Sequence, residues 1–413
     1  MAQRPRWFPL VADYSPRSAS LAESRSEYLV SPAVREKDGL LFRAYQGSQG
    51  LECLAQEWTT LVESMPDARF CHFPGWYRAH VVSNRSDPAS FWFVAAYRDQ
   101  KLVAVFPLQF QSHRVKILRP KFLGTIDDDE LQLCDFVFAR TASNSNLLYE
   151  MTRWLRKQRV LRWDMLRMLK IPDDSSFAYA ARARLPSATV AMRYDGSAFF
   201  DTSGTYEHAT QAMSSKFRSN LRRRTRLAEN SAPLRFQCCR RRDELDEAFE
   251  MFLDIEASGW KGPAGTSSAI RCRPGALALY AALLREFGAR DKCVINLLWY
   301  GEQAIAAQLG LHIGRTLYIL KVGYRDVHSV LAPGILLQER TIRHACEDAG
   351  IDTLSMVNEP YWARSFKPLS VGVWLYYAPN WNVQGLLAYV GILVMRKWKA
   401  RFSKAAVRPE ECA

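Results

Sequence analysis

The segment 329–334, with the sequence SVLAPG, joins a predicted strand to a predicted helix and carries residues suited to binding an anion. Pro333 cannot continue a strand ladder, and Gly334 lets a ligand approach the backbone closely. A helix that begins here presents free N–H groups and the positive end of its dipole, which suits a pyrophosphate or a carbonyl oxygen. An ordinary strand-to-helix connection is the alternative. The residues that we expect to hold the ligand are Ser329, Pro333, Gly334, Ile335 and Leu336.

Groups that can move a proton lie close to this segment in the sequence. Lys321, Tyr324 and Asp326 cluster at the end of the preceding strand, where Tyr324 or Asp326 would act as the acid or base. Strand alternation places Lys321 and Tyr324 on opposite faces, so the three side chains cannot all face one site. Glu256, one helical turn before Trp260, can take a proton from an acceptor amine. A solvated helix carboxylate is the alternative reading of Glu256.

Further residues are candidates for holding an acceptor. Lys261 follows Trp260 in a turn and can hold a phosphate or carboxylate while the indole walls a pocket. A surface lysine beside a core tryptophan is the alternative. Asp352 opens a later strand and Glu359 lies beyond it, and either can orient an acceptor or lie at the surface. Arg222 is a candidate because it belongs to a dense group of cations.

The elements that position these residues follow one another as strands, turns, a loop and a helix. Short apolar runs bounded by turn residues predict strands at 294–300, 304–313 and 316–324. The segment 91–110 repeats the plan of 294–313, with a strand, a polar turn and a strand. Helices are predicted before the two hairpins, at 50–64, 74–83, 243–257 and 275–288. This repetition predicts an α/β (α+β) fold built from two copies of one unit.

A basic helix is predicted over 206–229, with Ala209, Met213, Phe217 and Leu221 on one apolar stripe. Its flanks carry many lysines and arginines, which can hold phosphates of tRNA, CoA or lipid or can form a solvated charged face. The net charge of +14 over 413 residues also favours anionic partners. Charge alone does not choose among nucleic acid, CoA phosphates and an anionic membrane surface.

No metal site is expected from the sequence. The nine cysteines include no CxxC or Cys/His cluster with metal spacing, and Cys272 and Cys293 have no recognisable activating partner for nucleophilic catalysis. The acidic run 127–130 is expected to face solvent, because consecutive carboxylates on a loop do not by themselves converge on an ion.

The two ends of the chain differ in character from the middle. Residues 1–38 are predicted to form a mobile arm, because they are rich in Ser, Arg and Pro. Residues 381–413 are predicted to form an apolar and basic helix with a tail. Its uncharged stretch 385–395 is too short to span a bilayer, and it can lie at an anionic membrane surface or dock on the protein. We expect a cytoplasmic protein, with peripheral association at the inner face of the membrane as a further expectation.

Four segments in order resemble a known family. The residues E-x-x-x-W-K-G-x-x-G-T occur in FLDIEASGWKGPAGTSSA at 252–269. The chain thereby resembles the CelD-like (cellulose-biosynthesis) acetyltransferase group of the GNAT superfamily, which is related to Fem-type aminoacyltransferases. The other three segments are KFRSNLRRRTRL at 216–227, LKVGYRDVHSVLAPGILLQERTIRHA at 320–345 and IDTLSMVNEPYWARSFKP at 351–368.

The resemblance implies two tandem GNAT-like domains, at 39–200 and 201–380, each a mixed, mostly antiparallel sheet flanked by helices. It implies an acyltransferase that moves an acetyl or longer acyl group from acyl-CoA to an amine or hydroxyl of a small or saccharide acceptor, in exopolysaccharide or envelope assembly. One departure is the loop at 329–334, which keeps only Gly334 of the usual glycine-rich pyrophosphate loop. Two alternatives are an aminoacyl-tRNA-dependent transferase and a catalytically silent, membrane-associated scaffold.

Overall fold

The computed structural model describes residues 34–35, 39–83, 85–111, 113, 115, 119–140, 144–184 and 188–405, with side chains up to residue 397. Of the predicted arm at 1–38, only Val34–Arg35 is described, and it pairs with the strand that follows. The rest of the arm and the tail at 406–413 lie outside the described residues.

The described strands form a single sheet of 14 strands. The strands before residue 180 are β1 Val34–Arg35, β2 Leu40–Gln46, β3 Phe91–Arg98, β4 Lys101–Gln111, β5 Phe122–Gly124, β6 Val137–Phe138 and β7 Met165–Pro172. Those after it are β8 Val190–Asp201, β9 Leu234–Cys239, β10 Cys293–Tyr300, β11 Gln303–Ile313, β12 Thr316–Tyr324, β13 Thr353–Ser355 and β14 Leu369–Pro379. Within these strands the pairs β5–β7 and β12–β13 are parallel and the other pairs are antiparallel. The prediction of a mixed, mostly antiparallel sheet is therefore confirmed.

Helices cover both faces of this sheet. They are α1 Gly47–Glu63, α2 Pro74–Val82, α3 Asn144–Lys157, α4 Ser176–Arg184, α5 Tyr206–Ala209, α6 Ser215–Glu229, α7 Arg242–Ala257, α8 Pro274–Gly288, α9 Pro333–Glu347 and α10 Val383–Ala405. The four helices predicted before the two hairpins correspond to α1, α2, α7 and α8. Each carries its apolar residues on the buried face, as Leu54 and Trp58 do in α1 and Leu279 and Leu283 do in α8.

The two predicted hairpins are present and turn by different means. In the first, Asp99 and Gln100 both take positive φ, and in the second Gly301 has a φ of 56°. Two adjacent residues with positive φ match the right-handed twist of the flanking strands. The hairpins β3–β4 and β10–β11 have antiparallel registers along their whole length, interrupted by one bulge each.

The two halves of the sheet repeat one plan and exchange their last strands. The order β2-β3-β4-β5-β7 in the first half matches β9-β10-β11-β12-β13 in the second, and each run ends with its parallel pair. The next position is occupied by β14 in the first half and by β8 in the second, although β8 precedes the second half in the chain. β8 and β14 also pair with each other over nine residues. This pairing joins the halves, and the division into two domains near residue 200 stays a prediction.

The predicted basic helix at 206–229 is interrupted. A single turn, α5, ends at Ala209, and α6 begins at Ser215. The Ser214 hydroxyl accepts a hydrogen bond from the Phe217 N–H at 3.2 Å and so caps α6. Because a capping serine satisfies a free N–H only at a helix start, it favours a new helix over a continuous one.

The acidic run does not face solvent as a whole, and this expectation was wrong. Glu130 is buried, and three groups from the second half of the chain converge on it. The Lys321 ammonium lies 2.8 Å from its carboxylate, the Arg273 guanidinium lies 2.6 Å away, and the Tyr280 hydroxyl donates at 2.8 Å. Burial alone would raise the pKa of Glu130, but Lys321, Tyr280 and Arg273 lower it from 4.5 to about 2.

Replacing Glu130 with Gln is expected to destabilise the fold by about 3 kcal/mol, because Lys321 and Arg273 lose their buried counter-charge. The lowered pKa means that this contribution is complete above pH 4.5 and is lost as the pH falls toward 2. Urea unfolding at neutral pH and at pH values below 4.5 measures this contribution. The difference in unfolding free energy between the wild type and the Gln variant should become smaller as the pH is lowered below 4.5.

The neighbouring Asp129→Asn variant is the matched control, because the Asp129 side chain is 92% exposed. We expect its unfolding free energy to change by no more than about 0.5 kcal/mol. Equal unfolding midpoints for the two variants would show that the Glu130 cluster does not hold the halves together.

Candidate functional site

The strands β12 and β13 separate along their length and leave a gap in the sheet. They pair only from Thr316 to Tyr318, and β13 ends at Ser355 while β12 continues to Tyr324. The unpaired part of β12 therefore lacks a neighbour on that side. The end of α7, the 3₁₀ helix Asp326–Leu331 and the start of α9 surround this region.

The N-terminus of α9 lies at this gap without a side-chain cap. Pro333 has no N–H, and the Ile335 and Leu336 N–H groups donate to the Ala332 carbonyl, so the Gly334 N–H is the donor left free at the helix start. Its N-cap residue is Ala332, which has left-handed dihedrals (φ 53°, ψ 57°) that a non-glycine residue adopts at a cost. Pro333 occupies the first helical position and Gly334 the second, and a Cβ on Gly334 would meet only the Tyr324 ring, at 3.5 Å. An uncapped helix start of this kind binds anions and developing oxyanions.

A buried polar network holds α9 against the sheet. Thr341 donates to Gln308 Oε1 at 2.8 Å, and Gln308 donates to Gln338 at 2.9 Å. These three side chains and Asn296 are fully buried. Because each unpaired polar group would cost free energy in this setting, the network permits few orientations of the helix.

Close backbone packing brings the Trp260–Lys261–Gly262 turn to the same gap. A Cβ on Gly262 would lie 1.9 Å from the Ala257 carbonyl oxygen, and one on Gly323 would lie 2.8 Å from the Glu256 Cα. The end of α7 can therefore lie directly on β12 only because residue 323 is glycine, and the turn can fold back on the end of α7 only because residue 262 is glycine. The Trp260 N–H donates to Asp326 Oδ2 at 2.9 Å, which ties the turn to the 3₁₀ helix.

Glu256 is a buried carboxylate in this site, so its alternative reading as a solvated helix residue was wrong. It is 4% exposed, and its Oε2 accepts the Ile270 N–H at 2.8 Å. The Lys261 ammonium lies 3.4 Å from Oε1 and also donates to the Val322 carbonyl at 3.1 Å. A carboxylate fixed in this way, beside a cation and at a cavity wall, has the arrangement of a general base.

These elements enclose a cavity of about 370 Å³. It is lined by nine residues that the sequence singled out: Glu256, Trp260, Lys261, Tyr324, Asp326, Ser329, Pro333, Gly334 and Ile335. The remaining lining residues are Gly259, Val322, Gly323, Ala332 and Trp362. The volume is within the range of small-molecule sites, and a few polar groups converge in a mostly apolar wall.

Five other predicted site residues lie away from the cavity. Lys321 pairs with Glu130, and Leu336 is buried in a cluster with Leu298 and Leu337. Asp352 forms an ion pair with Arg315 beside Thr316, at the end of β12 opposite Tyr324 and about 25 Å from it along the strand.

The other two of these five residues, Glu359 and Arg222, also lie outside this cavity. Glu359 accepts a hydrogen bond from the Ser370 hydroxyl at 3.1 Å, next to Gly196 of β8. Arg222 lies in a second cavity.

The second cavity is a basic groove of about 610 Å³ between α5, α6 and α9. It is lined by the arginines Arg218, Arg222, Arg226, Arg340 and Arg343 and by the acids Glu207, Glu229 and Glu339. Arg343 lies over the Tyr206 ring at 4.0 Å and pairs with Glu339, while Arg340 pairs with Glu229. The arginines exceed the acids among the lining residues, so the groove suits an anionic ligand.

Sequence reasoning missed Trp362 and Gly323, which also line the cavity of about 370 Å³. Trp362 follows β13, and it lies in the YWARSF segment that carries part of the family resemblance. Gly323 breaks the run of large residues in TLYILKVGY, and an interior strand glycine signals close approach of another backbone.

The comparison with known protein families gives the class of the enzyme. Residues 215–367 match the family described as the acetyltransferase (GNAT) domain, and this range contains every residue that lines the cavity of about 370 Å³. The chain is thus an enzyme of the acyltransferase class. No curated protein matches the chain in sequence.

Several solved structures are similar to this chain. FemX superimposes with a TM-score of 0.51 at 10% identity, over 81% of this chain and 98% of its own. A conserved protein of unknown function from Bacteroides thetaiotaomicron gives 0.48 at 14% identity, over 79% and 97%. A tandem GNAT protein from the clavulanic acid biosynthesis pathway gives 0.43 at 10% identity, over 83% and 99%. Because the identity is only 10%, the comparison with FemX shows a shared fold alone.

None of the helices among the described residues combines the length and apolar content needed to cross a bilayer. Within the same residues, no group of three or more His, Cys, Asp or Glu side chains could hold a metal ion.

Proposed function

We propose that this chain transfers an acetyl group from acetyl-CoA, or a longer acyl group from its acyl-CoA, to an amine or hydroxyl of a small or saccharide acceptor. The observation that carries the proposal is the cavity where β12 leaves β13, with the uncapped start of α9 on one side and the buried Glu256 on the other. The resemblance to the CelD-like group supports an acceptor in exopolysaccharide or envelope biosynthesis.

The residues of the cavity divide the reaction among them. The acceptor nitrogen or oxygen attacks the thioester carbonyl carbon, the carbon–sulfur bond breaks, and the acceptor proton passes to the Glu256 carboxylate. The Gly334 N–H and the positive end of the α9 dipole stabilise the negative charge that develops on the carbonyl oxygen. The departing thiolate takes a proton from the Tyr324 hydroxyl or from water, and Asp326 keeps the Trp260 turn in place through the Trp260 N–H. Ser329 and Ile335 contact the donor from the cavity wall.

A second function is favoured by the basic groove. Five arginines line it, and FemX shares the fold, so an aminoacyl-tRNA-dependent transferase of the Fem type is the second candidate. In that case the phosphate backbone of the tRNA would contact Arg222 and its neighbours, and binding would weaken steeply with salt.

Acetyl-CoA is expected to raise the melting temperature of the full chain, because a ligand at 100 times its Kd stabilises the folded state by about 2.7 kcal/mol. Thermal unfolding with a series of acyl-CoA thioesters measures this shift, and inorganic tripolyphosphate is the control for non-specific anion binding to a chain of net charge +14. The proposal fails if no thioester shifts the transition and none is turned over. A shift with aminoacyl-tRNA but not with uncharged tRNA, in the absence of any thioester effect, would establish the second candidate instead.

A further inference from the structure

The helix α10 has two apolar faces, of which the described residues cover one. Its inner face packs on β14 and β7, where Ala388 and Ile392 are fully buried. Its outer face exposes apolar residues that a soluble helix usually replaces with polar ones. The exposed residues, each between 42% and 73% accessible, are Val383, Leu386, Leu387, Val390 and Val394.

These residues form one continuous stripe. The spacing of Val383, Leu387, Val390 and Val394 alternates between three and four residues, which places them on one side of the helix over about 17 Å. Trp381, which is also exposed, extends the stripe beyond the N-terminal end of α10. Isolated surface valines need no explanation, but a contiguous stripe marks an interaction surface.

Cations lie at both ends of the stripe. At its N-terminal end Lys157, Arg159 and Arg162 are exposed, and the Arg156 guanidinium lies 5.6 Å from the Trp381 ring centroid. At its C-terminal end Arg396 and Lys397 are exposed, and α10 contains no Asp or Glu. The complementary surface must therefore be apolar in the middle and negative at its margins.

We propose that this stripe binds the surface of a membrane that contains anionic phospholipid, with α10 lying parallel to the bilayer. The valines and leucines enter the boundary between headgroups and acyl chains, and the cations at both ends contact lipid phosphates. Pairing of two copies through α10 is disfavoured. Both ends of the stripe are basic, so the cations of two copies would repel each other whether the two α10 helices paired in parallel or antiparallel orientation.

Sedimentation of the full chain with vesicles tests the inference. We expect binding to vesicles in which about one lipid in three is phosphatidylglycerol, and binding weaker by at least about a hundredfold to pure phosphatidylcholine. Val390→Glu should lower the partition coefficient for anionic vesicles by about tenfold or more. Leu227→Glu is the matched control, because Leu227 is an exposed apolar residue of α6, and it should leave vesicle binding unchanged.

Several results would overturn the inference. Equal vesicle binding by the wild type and Val390→Glu would exclude the stripe as the membrane-binding surface. Loss of vesicle binding in Leu227→Glu alone would assign the interaction to α6. A wild-type dimer in sedimentation velocity that Val390→Glu dissociates, together with no vesicle binding, would assign the stripe to a second copy of the chain. Circular dichroism of each variant controls for folding. None of these readouts depends on acyl transfer, so this inference and the proposed activity stand or fall separately.

Discussion

Replacing Gly334 with Trp is expected to abolish acyl transfer, with kcat/KM falling by at least about a hundredfold. Gly334 lines the proposed donor cavity at the second position of α9, and a Cβ there would lie 3.5 Å from the Tyr324 ring. An indole group extends well beyond that Cβ and would occupy the space in front of the helix start. The donor would then lose both the space that it needs and its contact with the Gly334 N–H.

Gly334→Ala is the matched control for this variant. Its methyl group meets Tyr324 at an ordinary van der Waals distance, and alanine favours a helix more than glycine does, so activity and stability should be retained. Titration calorimetry with acetyl-CoA should show binding to the Ala variant and none to the Trp variant. Normal turnover by a folded Gly334→Trp enzyme would mean that the donor binds elsewhere.

The second large effect is expected at Glu256, where substitution by Gln should lower kcat by about 10²- to 10⁴-fold. Glutamine keeps an oxygen that can accept the Ile270 N–H, so the turn should stay in place while the proton acceptor is lost. A purely structural role would change the melting temperature and KM. If Glu256 acts as the base, its substitution by Gln also removes the acidic limb of the pH–rate profile. Stopped-flow or steady-state assays across pH therefore distinguish the structural role from the role as base.

Asp254→Asn provides the comparison on the same helix. Asp254 lies two residues before Glu256, is largely exposed and pairs with Arg271 at the surface. Its substitution should leave kcat within about twofold of wild type, because surface ion pairs contribute little. If Glu256→Gln retains wild-type kcat and an unchanged pH profile, Asp326 or Tyr324 becomes the candidate base in this cavity.

Local patterns were sufficient for the elements and for much of the site. The strands at 294–324 and the helix after Gly334 follow from apolar runs and turn residues, and both were found as predicted. Six of the nine predicted site residues in this cavity, from Tyr324 to Ile335, lie on elements that follow one another directly in the chain, whereas Glu256, Trp260 and Lys261 come from the end of α7 more than 60 residues earlier. Neighbouring elements in a chain are usually neighbours in space, so the part of the site from Tyr324 to Ile335 was within reach of sequence reasoning.

The errors concern distant partners. Glu130 can be buried because it pairs with Lys321, which lies about 190 residues further along the chain. No local sequence pattern contains that information. Asp352 lies just before a strand, as expected. That strand pairs with the start of β12, whereas the cavity that contains Glu256 lies at the other end of β12. The break before Ser215 could have been read from the capping serine, since Ser214 precedes an apolar position at helical spacing.

The exchanged strands β8 and β14 also determine when the molecule can be completed during synthesis. Val373 of β14 pairs with Pro172 of β7, so about 200 residues must leave the ribosome before the first half gains its last strand. Until then β7 presents an unpaired edge, which is a template for pairing with other chains. Such a non-local contact slows folding. For the same reason, either half expressed alone would lack the last strand of its run, which is β14 for the first half and β8 for the second.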